Sequence, residues 1–376
     1  LKAASRTMVS TSEMVKNFLY IKLFLQCQPI LNFSGRLTST RVAVLPCIIS
    51  GFEYLYSSEA ELTECQRVVA AAKSCFREPG IKASLSDGLP DISNLTMYGT
   101  IMNQRSFRIG DFEAALLQLD TFALDGGAMF GIIPKAIWSH LYHSNEENGI
   151  TLCSTSLLVR VNNQHILVET GVGSKLTDKE KRHVRFMPYQ SPLQALQPFA
   201  LTPQDIDWVI LTHLHFDHAG GSTKMSNNTV KPVFPNARYV VQQEEFEVAC
   251  ATNERTAASY HSDDFLPLQE AGNLTLVDGD REIVPGVRVV KTGGHTQGHQ
   301  VVFFESNGKG AIHIGDLVPT STHLPLPYIM GYDTHPLITL EMRKKLYREI
   351  REKKLRVIFP HDMYHTIASP ADVPVT

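Results

Sequence analysis

The feature that most constrains this chain is Thr212–Gly221, Thr-His-Leu-His-Phe-Asp-His-Ala-Gly-Gly, which sets three histidines and one aspartate within six residues. It directly follows Trp208-Val209-Ile210-Leu211, an apolar run that reads as a buried strand. Metal-capable side chains gathered at the exit of a buried strand are hard to satisfy unless something binds them, because unpaired polar groups in an apolar setting are costly. His213 and His215 stand two positions apart, so extended backbone points them the same way and lets them share one ion. His218 follows a turn expected at Asp217 and faces a different direction.

Three more short motifs sit at or just past the ends of expected strands, where a sheet scaffold places function. Gly294-His295-Thr296-Gln297-Gly298-His299 follows a strand ending at Lys291, Gly315-Asp316 follows Ala311–Ile314, and Pro360-His361-Asp362 follows Leu355–Phe359. A two-metal site needs about seven ligands. The chain offers five histidines, His213, His215, His218, His295 and His361, and two aspartates, Asp217 and Asp316. Imidazole and carboxylate suit zinc and also iron, manganese or cobalt, so ligand type does not choose the ion. The six cysteines form no Cys-x-x-Cys pair, which argues against a thiolate site. Cys153 and Cys250 read most simply as reduced thiols, compatible with a cytoplasmic location.

The 376 residues have room for one large domain with an extra segment. Residues 1–101 show little periodicity apart from a helix expected over Ser58–Cys75 and a Gly-, Pro- and Ser-rich loop over Ser84–Thr100. We expect 1–101 to be an N-terminal extension, poorly ordered or upstream in origin, with Met102 near the natural start and one domain over 102–376. From Phe112 onward the pattern is clear. Leu116–Leu124 alternates as a strand and meets a turn at Asp125-Gly126-Gly127. Thr151–Val161 and His165–Glu169 form a hairpin. Pro192–Phe199 is a short helix, and Thr202-Pro203 opens another. The second half repeats the plan, with a hairpin around Asn307-Gly308 and a long charged helix over Thr339–Lys354. Strands followed by helices in each half point to an α/β architecture with two facing mixed sheets and helices outside, an αββα sandwich. The formal net charge of -3 gives no basic footprint, which disfavours nucleic acid as a partner. No run of eighteen apolar residues marks a membrane span.

Together the four motifs resemble the metallo-β-lactamase superfamily in its His-x-His-x-Asp-His form, over residues 112–365. Within it the chain looks most like the lactonase and organophosphate-hydrolase-like branch, a placement supported by Leu124–Gly131 and by Phe234-Pro235-Asn236-Ala237. The resemblance implies that His213, His215 and His295 bind a first divalent ion, that Asp217, His218 and His361 bind a second, and that Asp316 bridges them. It implies zinc foremost, and a hydroxide held between the ions that attacks a small ester, lactone or phosphoester. Asp217 would also orient that nucleophile. The partners implied are a small-molecule substrate and water, and a homodimer is left open. Where the family often has Asp-Thr-Gly after its second hairpin strand, this chain has Glu169-Thr170-Gly171, so a contact behind a ligand is expected to shift.

Met129, Phe130 and His323 are candidates for the substrate pocket. His299 is expected to neighbour the metal loop without binding, and His313 to be a satisfied core histidine. Two other functions share features with this reading. Thioester hydrolysis of the glyoxalase II kind uses the same ligand set, and a non-catalytic metal-binding scaffold would be expected to have lost ligands.

Overall fold

Apolar side chains on both faces of both sheets dictate the layering. In the computed structural model, which describes residues 105–375, strand β1 (Arg105–Ile109) leads into β2 (Phe112–Asp125), whose successive residues part company. Ala114 and Leu116 enter one core while Ala115, Leu117 and Leu119 enter another, as the two-residue period of a strand requires. A sheet that is apolar on both faces must be covered on both.

The first sheet continues through β3 (Gly149–Val161), β4 (Gln164–Val168), the short β5 (Met187–Pro188) and β6 (Trp208–Ile210). A separate hairpin, β7 (Thr223–Ser226) and β8 (Thr229–Pro232), interrupts it before β9 (Arg238–Gln242) and β10 (Leu274–Val277) complete it. Its order is β1-β2-β3-β4-β6-β9-β10, with β5 on β2. β1 to β4 pair antiparallel, and β4, β6, β9 and β10 run parallel. The second sheet takes β11 (Arg281–Val284), β12 (Val287–Lys291), β13 (Gln300–Ser306), β14 (Lys309–His313), β15 (Arg356–Ile358) and β16 (Ile367–Ala368) in chain order. Only β14–β15 is parallel there.

Between the sheets lies a core of Leu157, Val159, Val168, Ile210 and Val240 from the first and Val289, Val302, Phe304, Ala311 and Ile358 from the second. The helices are α1 (Gly126–Phe130), α2 (Lys135–Trp138), α3 (Asp178–His183), α4 (Pro192–Leu196), α5 (Phe216–Ala219), α6 (Gln243–Cys250), α7 (Leu266–Glu270) and α8 (Pro336–Glu352). α4, α6 and α7 cover the outer face of the first sheet through Leu196, Phe246 and Leu268. α8 covers that of the second through Leu346, Tyr347 and Ile350. This is the expected αββα sandwich. Among the described residues no helix is long and apolar enough to cross a membrane.

Several local expectations change. Asp125 does not turn the chain but caps α1, its carboxylate accepting from Ala128 N at 2.8 Å. Thr202-Pro203 opens only a single 3₁₀ turn: Asp205 closes a capping box on Thr202, but Ile206 is already extended. The β7–β8 hairpin was missed, although its turn residues Asn227 and Asn228 both take positive φ, a conformation asparagine tolerates. The division at residue 101, the start at Met102 and the helix over Ser58–Cys75 lie outside the described residues.

Phe304 is fully buried in the inter-sheet core. Phe304→Ala is expected to lower unfolding free energy by about 3–5 kcal/mol, read as a reduced urea midpoint with an unchanged slope.

Candidate metal centre

All four ligand-bearing loops leave the C-terminal ends of strands. After β6, Leu211 stays tied to the first sheet through Val240 O, and Thr212 donates its N–H to Glu169 Oε1 at 3.0 Å. Leu214 is buried in the outer core, so the histidines on either side of it turn the opposite way. The chain then departs from the turn expected at Asp217. His215 sits at the N-cap of α5, and Asp217 and His218 lie inside that one-turn helix. Two glycines follow because backbone crosses there. A Cβ on Gly221 would stand 2.1 Å from Thr170 O, and one on Gly220 would stand 2.2 Å from Val172 O. His295 follows β12, Asp316 lies in a 3₁₀ turn after β14, and His361 follows β15. The parallel pairing of β14 with β15 brings the last two side by side.

The seven side chains converge. Three groups have ligand atoms within 4.8 Å of one another: His213, His215 and His295; His213, His218 and Asp316; and Asp217, His218 and His361. His295 Nε2 lies 3.1 Å from His215 Nδ1, and His361 Nε2 lies 3.0 Å from His218 Nε2. Asp316 stands between the groups, with Oδ1 at 3.1 Å from His361 Nε2 and 3.3 Å from His218 Nε2, and Oδ2 at 3.5 Å from His295 Nε2. Asp217 Oδ2 is 3.6 Å from His361 Nε2. Tetrahedral ligands about 2.1 Å from one ion lie about 3.4 Å apart, so these spacings fit. His213 Nε2 is buried without a hydrogen-bond partner, which is the state of a nitrogen aimed at an ion.

The far ring nitrogens are held from behind. Thr212 Oγ1 meets His213 Nδ1 at 3.0 Å, Cys153 O accepts from His361 Nδ1 at 2.9 Å, and Asp333 Oδ1 meets His295 Nδ1 at 3.0 Å. Asp333 is braced in turn by the Thr339 hydroxyl at 2.6 Å. Glu169, in left-handed backbone, splits its carboxylate between Thr212 N and His218 Nδ1, the latter at 3.2 Å. The longer side chain thus keeps a contact behind a ligand. Such partners fix tautomer and ring orientation. Asp333 was invisible to sequence reading, since it lies in a loop with no motif spacing.

Burial dominates the charge state of His213 and His215 and drives both well below the usual imidazole range, so they are neutral. Burial opposes charge on His218 too, but Asp316, Glu169 and Asp217 outweigh it and raise it well above that range. His295 and His361 are likewise raised against burial, chiefly by Asp333 and Asp316 respectively. Burial alone would raise Asp316, yet His361 and His218 hold it well below the carboxylate range.

The pocket candidates Met129, Phe130 and His323 need correcting. All are buried, with exposure of 1% or less. Phe130 is sandwiched between Trp138 and His323, at centroid distances of 5.1 and 4.6 Å. His323 spends both ring nitrogens internally, on Thr320 Oγ1 and Met129 O, and burial pushes it down to about 3. These residues pack α1 against the loop after Asp316 and do not line open space. Phe186, Phe216 and Tyr332, packed against the same cluster, are only partly buried. Phe216 stands between two of the seven in sequence, and Phe122 behind it meets His361 edge-on at 5.5 Å. His299 neighbours His213 but turns Nδ1 to Thr292 Oγ1 at 2.6 Å. His313 is buried as expected, yet neither ring nitrogen has a hydrogen-bond partner among the described residues, so it is not satisfied.

The sequence profile of the metallo-beta-lactamase superfamily matches residues 152–361. An N-acyl homoserine lactonase of Bacillus thuringiensis is 29% identical over 231 residues, covering 60% of this chain and 81% of the relative. The structure of a probable metal-dependent hydrolase from Staphylococcus aureus superposes with a TM-score of 0.67 at 31% identity, covering 71% of this chain and 95% of that one. AidC, a dizinc quorum-quenching lactonase bound to a product, shares the fold with a TM-score of 0.60 at 20% identity, over 71% and 93% of the two chains.

Loading the centre with a divalent ion is expected to expel protons from His218, His295 and His361, because an ion needs their deprotonated nitrogens and the neighbouring carboxylates raise the proton affinity of each above that of an ordinary imidazole. Ion affinity should accordingly rise with pH until those protons are gone. Titration calorimetry in buffers of different ionisation enthalpy reads this directly, and identical heats in every buffer would contradict it.

Proposed function

The chain belongs to the metallo-beta-lactamase superfamily as a metal-dependent hydrolase, and we propose that it is a dizinc enzyme opening the ring of N-acyl homoserine lactones. The observation that carries this reading is the position of Asp316 between two histidine groups, which gives two adjoining sites one shared carboxylate. In this reading His213, His215 and His295 hold the first ion, Asp217, His218 and His361 hold the second, and Asp316 serves both. Imidazole and carboxylate donors admit zinc among several divalent ions, and the structurally similar lactonase AidC is a dizinc protein. The substrate class is that named for the Bacillus thuringiensis relative.

Two bound divalent ions supply Lewis acidity toward the lactone carbonyl and make hydroxide available near neutral pH. The protein's own groups do the rest. Asp217 is buried but not sealed, at 7% exposure, and its backbone is steadied by the Ser154 hydroxyl donating to Asp217 O. Its carboxylate accepts a hydrogen bond from the attacking water and orients it toward the acyl carbon. As the ring C–O bond breaks, the proton given up by the water passes through Asp217 to the leaving alkoxide to form the alcohol, and the new carboxylic acid releases its remaining proton to solvent, leaving a carboxylate. Asp333, Glu169 and the Cys153 carbonyl keep the ring nitrogens aimed while this happens. Phe216, between His215 and Asp217 in sequence, and Tyr332 are partly buried members of an apolar cluster, a setting suited to excluding bulk water.

The test is steady-state turnover of zinc-loaded protein on an N-hexanoyl homoserine lactone, an aryl ester, a phosphotriester and a thioester. Lactone opening is expected to dominate, and Asp217→Asn to lower kcat by on the order of 10²- to 10⁴-fold. Metal content measured on the same samples separates lost chemistry from lost ions. Full occupancy with background turnover of the lactone would end the lactonase reading, and turnover of the thioester alone would move the substrate class.

A further inference from the structure

The first turn of α6 touches both loops that feed the first histidine group. A Cβ on Gly298 would stand 2.2 Å from Glu245 N, so the loop carrying His295 runs directly across the helix start. Glu245 is fully buried. Its Oε1 accepts the Leu214 N–H at 3.0 Å, from the residue that separates His213 and His215. The same oxygen accepts the Tyr260 hydroxyl at 3.0 Å, and the Tyr260 ring meets His215 edge-on at 4.7 Å. Oε2 accepts the Thr296 hydroxyl at 2.5 Å, beside His295. One carboxylate is thus hydrogen-bonded to the backbone between two of the histidines, to the residue next to the third, and to the aromatic ring packed on one of them.

No lysine or arginine forms an ion pair with Glu245 among the described residues, and three neutral donors take up a buried carboxyl that costs free energy to bury. Its bonds reach only one of the two groups. His218 and His361, on the other side of Asp316, lean instead on Glu169 and the Cys153 carbonyl.

We propose that Glu245 is a positioning residue for the first ion, setting the separation between His213–His215 and His295. The inference rests on the ligand assignment above. Glu245 touches no ligand ring itself, and it acts through Leu214, Tyr260 and Thr296.

The experiment is a two-step zinc titration against a competing chelator on the full chain, with folding followed by circular dichroism. Glu245→Gln preserves shape but presents an amide NH₂ where an acceptor is needed. One zinc step is expected to weaken by about 10- to 100-fold while the other keeps its wild-type affinity. Unchanged affinity at both steps would overturn the proposal, and so would equal weakening of both, the mark of a general structural role. If Glu245→Gln does not fold, Thr296→Val decides. It removes only the donor to Oε2, and selective weakening of one step supports the proposal whereas wild-type affinities at both overturn it. The titration contains no substrate, so its outcome is independent of lactone turnover.

Discussion

The carboxylate of Asp316, buried among three imidazoles, is the contact on which the rest of the centre depends. Burial by itself would neutralise that carboxyl, and would equally strip charge from His218 and His361. The groups escape this only because they face one another at 3.1 to 3.5 Å. The balance is that of a buried ion pair, in which mutual attraction has to repay the desolvation of every member. An ion bound there would compete with protons for the same imidazole nitrogens.

The fold makes this meeting possible by aligning strand ends. β6 runs parallel to β4 and β9, and β14 runs parallel to β15, so the loops that leave them open toward one edge of the sandwich. The inter-sheet core of Val, Ile, Leu and Phe stops just short of that edge. Polar groups therefore cluster where the apolar layer ends, with hydrogen bonds from the backbone and from outlying carboxylates replacing water.

The sandwich and the seven convergent side chains were legible because each leaves a periodic or compositional trace. Strands that feed two cores show continuous apolar runs, the Asn307-Gly308 turn announces its hairpin, and histidines beyond a strand exit have few uses other than binding. What was not legible acts at a distance in sequence. Asp333 is thirty-eight positions from the histidine it orients, and Glu245 is thirty-one from the backbone it holds. No local pattern encodes either. The pocket was misread for a related reason. Met129 and Phe130 lie in a glycine-flanked segment that resembles an exposed loop, but Asp125 caps it into a helix and the Trp138 and His323 rings close over it. The turn expected at Asp217 is instead one turn of helix beginning at His215, which a two-residue spacing does not reveal.

The loops that meet at the centre come from both layers of the sandwich. His213, His215, Asp217 and His218 hang from the first sheet, and His295, Asp316 and His361 from the second. An ion held jointly by them is a rivet through the two layers, placed where the hydrophobic seam runs out. At a free-ion concentration 1,000 times its dissociation constant, each such rivet adds about 4 kcal/mol to the folded state, a sizeable share of the stability of a typical domain. The metal supply would then govern how firmly the sandwich stays shut as well as whether it reacts.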